Sequence, residues 1–239
     1  MSAPRFLLLL LPLFALAWAA PNPHQLAESI NIDNGLDRGD WGTIDMCPSG
    51  DFAFAFEIKY SGLGFVDDTS VNAIRMYCRN GAGDLTGSTL STEGKYGQWQ
   101  GMRTCGAGQS LTGMRANVVP DMGTFGDDLG MDNLQMICGD GHVMDGLYGA
   151  SNSTTPPNPK YKGPVVTREM REVEGRQVEA VRTKIALSAQ TRDYGEWGMW
   201  GKCSPGNKIC GHESRVEHES TLSDDAGLVD VIMFCCDTL

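Results

Sequence analysis

The sequence predicts an all-β protein folded from three internal repeats and stapled by disulfides, and three observations carry that reading. A Gly-x-Trp-x5-Cys pattern recurs three times along the chain. Eight cysteines, an even number, all follow an N-terminal leader. Thirty glycines, with few long helical patterns, favour short strands and turns over helices.

The leader comes first. Arg5 is followed by an apolar run from Phe6 to Ala17 and by small residues at Ala19 and Ala20, which reads as a cleaved secretory signal peptide over 1–20. The run falls short of the ~18 residues that a bilayer-crossing helix needs, and no later segment approaches that length, so no membrane anchor is expected. The mature chain is expected to begin near Pro21, to be secreted, and to form one domain over 21–239. Losing Arg5 leaves 18 basic against 30 acidic residues, a net charge of −12. Such a surface repels nucleic acid and anionic lipid, and leaves basic extracellular proteins, divalent cations and neutral glycans as its natural partners. Keeping a secreted protein soluble is the simpler use of the same charge.

The repeats come next. Trp41, Trp99 and Trp197 each precede a cysteine by six residues, namely Cys47, Cys105 and Cys203. Farther along each copy lies an aspartate pair: Asp67-Asp68, Asp127-Asp128 and Asp224-Asp225. The second Asp precedes Met76, Met136 and Met233 by eight residues and Cys78, Cys138 and Cys235 by ten. Repetition of this kind marks a supersecondary unit that closes its apolar face against its siblings. The units span about 37–85, 95–145 and 185–239.

Within a unit the first half reads as a strand, clearest where Phe52, Phe54, Phe56, Ile58 and Tyr60 alternate with Ala53, Ala55, Glu57 and Lys59. The second half is a shorter strand with Ile74, Met76 and Cys78 turned inward, then Leu134, Met136 and Cys138, then Val231, Met233 and Cys235. Glycine and aspartate between the halves supply the turn. A third strand is expected ahead of each Trp, near Leu85 to Ser91 and near Lys184 to Ser188.

The cysteines of each unit occupy equivalent places at nearly equal separations, which pairs Cys47 with Cys78 and Cys105 with Cys138. The same register pairs Cys203 with Cys235 and leaves Cys210 for Cys236. The swapped pairing of that last cluster stays open, because spacing alone does not fix connectivity.

The interval from Trp99 to Trp197 is longer than that from Trp41 to Trp99 by about 40 residues, which places an inserted tract at about 149–184. It opens with the linker-like run from Ser151 to Pro159 and continues through charged residues from Arg168 to Lys184. There Met170, Val173, Val178 and Val181 form a loosely helical pattern interrupted by Gly175. Asn152-Ser153-Thr154 is an N-glycosylation sequon, so Asn152 is a candidate glycan acceptor.

Trp41 to Cys47-Pro48, the Asp-Asp-Thr-x-x-Asn-x-Ile-Arg run from Asp67 to Arg75, and the terminal Phe234-Cys235-Cys236 together resemble the vitelline membrane outer layer protein I family. The resemblance covers all three repeats, roughly 37–239 apart from the insertion. It implies a β-prism: three antiparallel, Greek-key-like sheets around a pseudo-threefold axis with their apolar faces packed together. It also implies a non-enzymatic protein of an extracellular layer, an egg coat or mucus-like material, that contacts glycans or secreted glycoproteins. An activity associated with the family, transfer or hydrolysis of N-acetylglucosamine oligosaccharides, makes a carbohydrate-active enzyme the alternative. The family's asparagine after the Asp pair survives at Asn72 and is replaced by Asp132 and Val229 in the other copies.

Chemistry at the repeated residues has a bland and a sharp form. Glycosidases use two carboxylates roughly 5 to 9.5 Å apart, whereas adjacent aspartates on a strand point to opposite faces and in a turn accept backbone N–H bonds. The pairs are therefore read as turn caps first, and no catalytic residue is assigned. Calcium would need six to eight oxygen ligands, and no EF-hand-like ladder is present, so no metal or other cofactor is expected. Trp41, Trp99 and Trp197 are read as sheet packing first and as sugar-stacking platforms second. His24, His142, His212 and His218 share no repeat position and no ligand spacing, and the cysteines are committed to disulfides, so no nucleophile is available.

Overall fold

A computed structural model describes residues 25–61, 69–120, 130–147, 195–217 and 227–238, together with the backbone of 165–173 and 176–184. The chain opens with β1 (Leu26–Asn31), β2 (Asp40–Trp41) and β3 (Asp45–Met46). A hairpin follows, β4 (Phe52–Ser61) and β5 (Ser70–Arg79), then an outer strand, β6 (Leu85–Thr89), and two short strands, β7 (Gln98–Trp99) and β8 (Arg103–Thr104). The series recurs as β9 (Leu111–Val118), β10 (Met131–Cys138) and β11 (Val143–Asp145). After a separate hairpin, β12 (Val165–Val173) and β13 (Arg176–Lys184), come β14 (Glu196–Trp197) and β15 (Gly201–Lys202). The hairpin β16 (Lys208–Val216) and β17 (Leu228–Cys236) ends it.

These strands make three five-stranded antiparallel sheets on one plan, the expected β-prism. The first runs β6-β5-β4-β7 with β8 also on β4. The second runs β11-β10-β9-β14 with β15 on β9, and the third runs β1-β17-β16-β2 with β3 on β16. The two short strands of each sheet come from the Trp-to-Cys segment of the following unit, so Trp99 edges the first sheet, Trp197 the second and Trp41 the third. Each unit thus lends its opening segment to the sheet before it, and the chain ends close the ring: β1 pairs with β17.

The inner faces form one core. Phe56, Ile58, Ile74 and Met76 from the first sheet meet Met114, Leu134 and Met136 from the second and Ile209, Val231 and Met233 from the third, all fully buried. Burying each such side chain contributes roughly 1.5 to 3 kcal/mol. The inward triplets read from the second strands all lie in this core. The first strand departs from simple alternation. A register shift between Ala53 and Ala55 turns Ala53 inward and leaves Phe52 and Phe54 half-buried outside the main core. Phe52 instead packs in a small cluster with Cys210, Phe234 and Cys236. A bulge adds one residue to one strand of a pair and so inverts which side chains face inward on either side of it.

The four disulfides are Cys47–Cys78, Cys105–Cys138, Cys203–Cys235 and Cys210–Cys236, with sequence separations of 31, 33, 32 and 26. The first three do more than close a unit. Cys47 N–H donates to Cys210 O of the third sheet, Cys105 N–H to Phe54 O of the first, and Cys203 N–H to Thr112 O of the second, while their partners lie on the next sheet. Each therefore bridges a seam between two sheets. Cys210–Cys236 joins the neighbouring strands β16 and β17 within one sheet.

Two expectations are corrected. The tract from Arg168 to Lys184 is not helical: β12 and β13 pair in unbroken register from Val165↔Lys184 to Val173↔Arg176. Its β-branched residues favour strands, and Gly175, which a helical reading takes for an interruption, falls in the sequence between the two paired strands. The outer strand of the second sheet is β11 rather than a strand beginning at Lys184. Lys184 ends β13, and 185–188 lie outside the described residues. The expected strand near Leu85 to Ser91 is β6.

Candidate functional site

The three Trp-bearing edges are built alike from backbone and differently from side chains. A cross-strand pair on the outer face of each hairpin sets the pattern: Glu57↔Arg75 in the first sheet, Arg115↔Gln135 in the second, Glu213↔Ile232 in the third. In the first, Arg75 Nη1 donates to Glu57 Oε1 at 3.0 Å and its guanidinium lies 3.9 Å from the centre of the Trp99 ring. Tyr77 Oη donates to the same carboxylate oxygen at 2.6 Å, and burial, then the neighbouring Glu57, raise the phenol pKa. In the second sheet the cation sits on the opposite strand. Arg115 donates through Nε and Nη2 to Gln135 Oε1 at 2.9 and 2.8 Å, and its guanidinium lies 4.8 Å from the Trp197 ring and 4.9 Å from the Trp200 ring. Lys202 Nζ stands 5.9 Å from the Trp200 ring, so Arg115 is shared by two indoles and Trp200 by two cations. In the third sheet Arg215, directly opposite Trp41, lies 5.8 Å from its ring, and Trp41 is 39% exposed. An arginine over an indole is attracted by the ring quadrupole and covers that ring face.

Three residues beyond each Trp stand Ile44, Met102 and Trp200, the first two exposed at 58% and 41%. Each prism edge thus offers an indole, a cation and a further apolar side chain at the surface. Aromatic and cationic groups at one solvent-facing place are the ordinary furniture of a recognition surface.

The seams consume the buried polar chemistry. Arg103 is 1% exposed and donates to five carbonyl oxygens: Asp145, Gln100, Gly101, Gly146 and Leu147, at 2.8 to 3.5 Å. Desolvation lowers its pKa. His212 is wholly buried, with Thr89 Oγ1 at 3.1 Å from Nδ1 and Ser91 N–H donating to Nε2 at 3.5 Å. Burial pulls its pKa down to about 4, against the opposing effect of Asp45, so the ring is neutral at pH 7. Among the described residues no group of three His, Cys, Asp or Glu side chains comes together as a metal site.

The aspartate pairs Asp67-Asp68, Asp127-Asp128 and Asp224-Asp225, and the sequon at Asn152, lie outside the described residues. The strand ends flanking the pairs are described, and they meet at one end of the prism. Asp132 Oδ1 accepts from Tyr60 Oη at 3.1 Å and from Ser70 Oγ at 3.3 Å, joining the second hairpin to the first. Gly227 of the third hairpin abuts the carbonyls of Thr69 and Val71.

The sequence reading singled out the three tryptophans and missed the arginines that cover them. No repeat spacing reveals them, because Arg75, Arg115 and Arg215 occupy inequivalent positions. The only available signal is that each lies on the outward side of a strand. Trp200 was missed for the same reason, since its counterparts are Ile44 and Met102.

The sequence profile of the Vitelline membrane outer layer protein I family matches residues 28–163 and 164–238. A relative from Mus musculus named Vitelline membrane outer layer protein 1 homolog is 27% identical over 237 residues, covering 96% of this chain and 95% of its own. The relative of the same name from Homo sapiens is 26% identical, covering 87% and 82%. Among solved structures, the wild-type Malaysian banana lectin overlays with a TM-score of 0.40 at 13% identity, covering 89% of this chain and 97% of the lectin. Frutapin, a lectin from Artocarpus incisa, overlays at 0.45 with 8% identity, covering 91% and 99%. At such loose overlap the prism is defined by its own sheets.

Proposed function

We propose, from the premise that this chain belongs to the vitelline membrane outer layer protein I family, that it is a secreted, non-enzymatic structural and binding protein of an extracellular layer. Its partners are glycans or glycoproteins, with basic extracellular proteins a second class suited to its acidity. Residues 1–20 are the cleaved leader and Asn152 a glycan acceptor. Four disulfides support that route, since such bonds persist in oxidising compartments. No helix among the described residues is long and apolar enough to cross a membrane.

The observation that carries the binding reading is the threefold set of edges, each pairing a partly exposed indole with a cation and a third side chain. Trp41 is the most open, its arginine standing farthest from the ring. The aspartate pairs fit this reading as caps of the hairpin ends, and the tract at 149–184 as an excursion from the prism.

The test is a glycan and glycoprotein array probed with the mature protein, repeated with Trp41→Ala. The indole's stacking, about 1 to 1.5 kcal/mol, predicts roughly tenfold weaker binding at unchanged fold. Undiminished binding in the variant would remove the edge from the site, and cleavage or transfer products from any bound glycan would overturn the non-enzymatic reading.

A further inference from the structure

Trp197 and Trp200 are separated by two residues, and Cys203 follows three later, so the third unit alone reads Trp-x-x-Trp-x-x-Cys. The first and second units carry Ile44 and Met102 where Trp200 stands. The first tryptophan of a Trp-x-x-Trp run in a secreted chain is the acceptor pattern for transfer of mannose to an indole carbon. We propose that Trp197 carries a C-linked mannose, an assignment that rests on the secretion reading above.

Two features of the folded chain fit such a group. The first is the cluster of Trp197, Arg115, Trp200 and Lys202, in which Arg115 lies over both indoles. A substituent at indole C2 lies in the ring plane, so it leaves the π-face for Arg115 and the Nε1–H as a donor. The second is the close backing of the segment around Trp197 by two amides, Asn117 against Gly195 and Asn34 against Gly198, which holds the backbone on both sides of the indole. Asn117 lies directly across the strand pair from Trp197, and Asn34 Nδ2 donates at 2.9 Å to the carbonyl of Glu196, the preceding residue. Trp41 and Trp99 have no second tryptophan three residues on.

The chemistry closes with a polyprenyl-phosphate mannose as donor. Indole C2 attacks the sugar's C1, forming a C–C bond. The C1–O bond to phosphate breaks with its electron pair leaving on the polyprenyl phosphate, and C2 loses its proton as the ring regains aromaticity. No oxidant is required. In the folded protein Trp197 is half-buried beneath Arg115, so transfer precedes closure of the second sheet.

The full chain, expressed in animal cells and collected from the medium, is digested and the tryptophan-bearing peptides weighed. Trp197 is expected to carry the mass of one hexose that resists both amidase and base, while the Trp41 and Trp99 peptides are bare. Trp200→Ala is expected to abolish the addition. Met102→Trp, which gives the second unit the same spacing, is expected to add a hexose at Trp99, a gain that no folding defect imitates. A secreted chain with bare Trp197 overturns the assignment alone. A chain retained in cells with residues 1–20 still attached overturns the secretion reading and the assignment together.

Discussion

The seam between the first and second sheets and the seam between the third and first are locked from the same backbone position, four residues beyond the edge Trp, by opposite charges. At one, Arg103 donates to the carbonyls of Asp145, Gly146 and Leu147 at the end of the outer strand β11, and to two more of its own turn. At the other, Asp45 Oδ2 accepts from Leu90 N–H at 2.8 Å, just past the outer strand β6, with His212 and Ser91 packed beside it. At the remaining seam the equivalent residue is Gly201, which has no side chain to offer. The prism therefore repeats its backbone and its apolar inner faces, and leaves each seam to satisfy its exposed strand-end groups with whatever polarity is at hand. What must be conserved between seams is hydrogen-bond satisfaction, because a buried N–H or C=O without a partner is costly.

The sharpest way to break this comparison is to empty both locks. Arg103→Ala strands five carbonyls in a buried site and is expected to cost about 3 to 5 kcal/mol, the scale for removing one partner of a buried charged network. Asp45→Ala strands one N–H and is expected to cost about 1 to 3 kcal/mol. Urea unfolding of both variants gives the ratio. Equal losses would mean that the carbonyls find other donors and that the guanidinium is not the lock.

The seam that holds His212 adds a pH dependence of its own. The imidazole has a pKa of about 4 when folded and about 6.5 when unfolded, so between those values the unfolded chain binds the extra proton. Stability tied to the neutral ring is complete above about pH 6.5 and is lost as the pH falls toward 4. Linkage over that window amounts to about 3 kcal/mol between pH 7 and pH 4. Carboxylates titrate in the same range, so the measured quantity is the difference between wild type and His212→Asn across matched melts. A variant whose stability falls with acid as steeply as the wild type's would place the pH sensitivity elsewhere.

The legible part of this molecule was the part that repeats. Trp-to-Cys spacing, the inward triplets such as Ile74, Met76 and Cys78, and the bridge pairs follow from period-two burial and register, and a threefold fold prints these three times. Non-repeated features were hidden. The bulge at Ala53 and Ala55 reverses an alternation that looks regular in sequence, and the lending of each Trp segment to the preceding sheet is a long-range pairing with no local signature. Arg75, Arg115 and Arg215 reach their indoles from different register positions, so the edge sites could be seen only in three dimensions. The hairpin of β12 and β13 was misread because valines spaced three or more apart satisfy a helical period while also suiting strands.

Gly201 offers the mildest test of how far seams tolerate change. A Cβ there would stand 3.2 Å from Asn31 O and 3.4 Å from Ile30 Cβ, both on β1. These contacts are tight, but among the described residues the backbone of β1 pairs with β17 alone, and its Glu28 side chain, which accepts from Ser204 and Asn207 at 2.6 to 3.0 Å, sits at the exposed end of the strand and can follow a small movement. A shift of a few tenths of an ångström in β1 relieves the crowding, so Gly201→Ala is expected to cost only about 1 kcal/mol, the low end for overpacking. In a chain of this length that lowers the melting temperature by about 2 to 4 °C. Thermal melts measure it directly. A loss as large as that of Arg103→Ala would show that close backbone approach locks this third seam as firmly as the guanidinium locks the first.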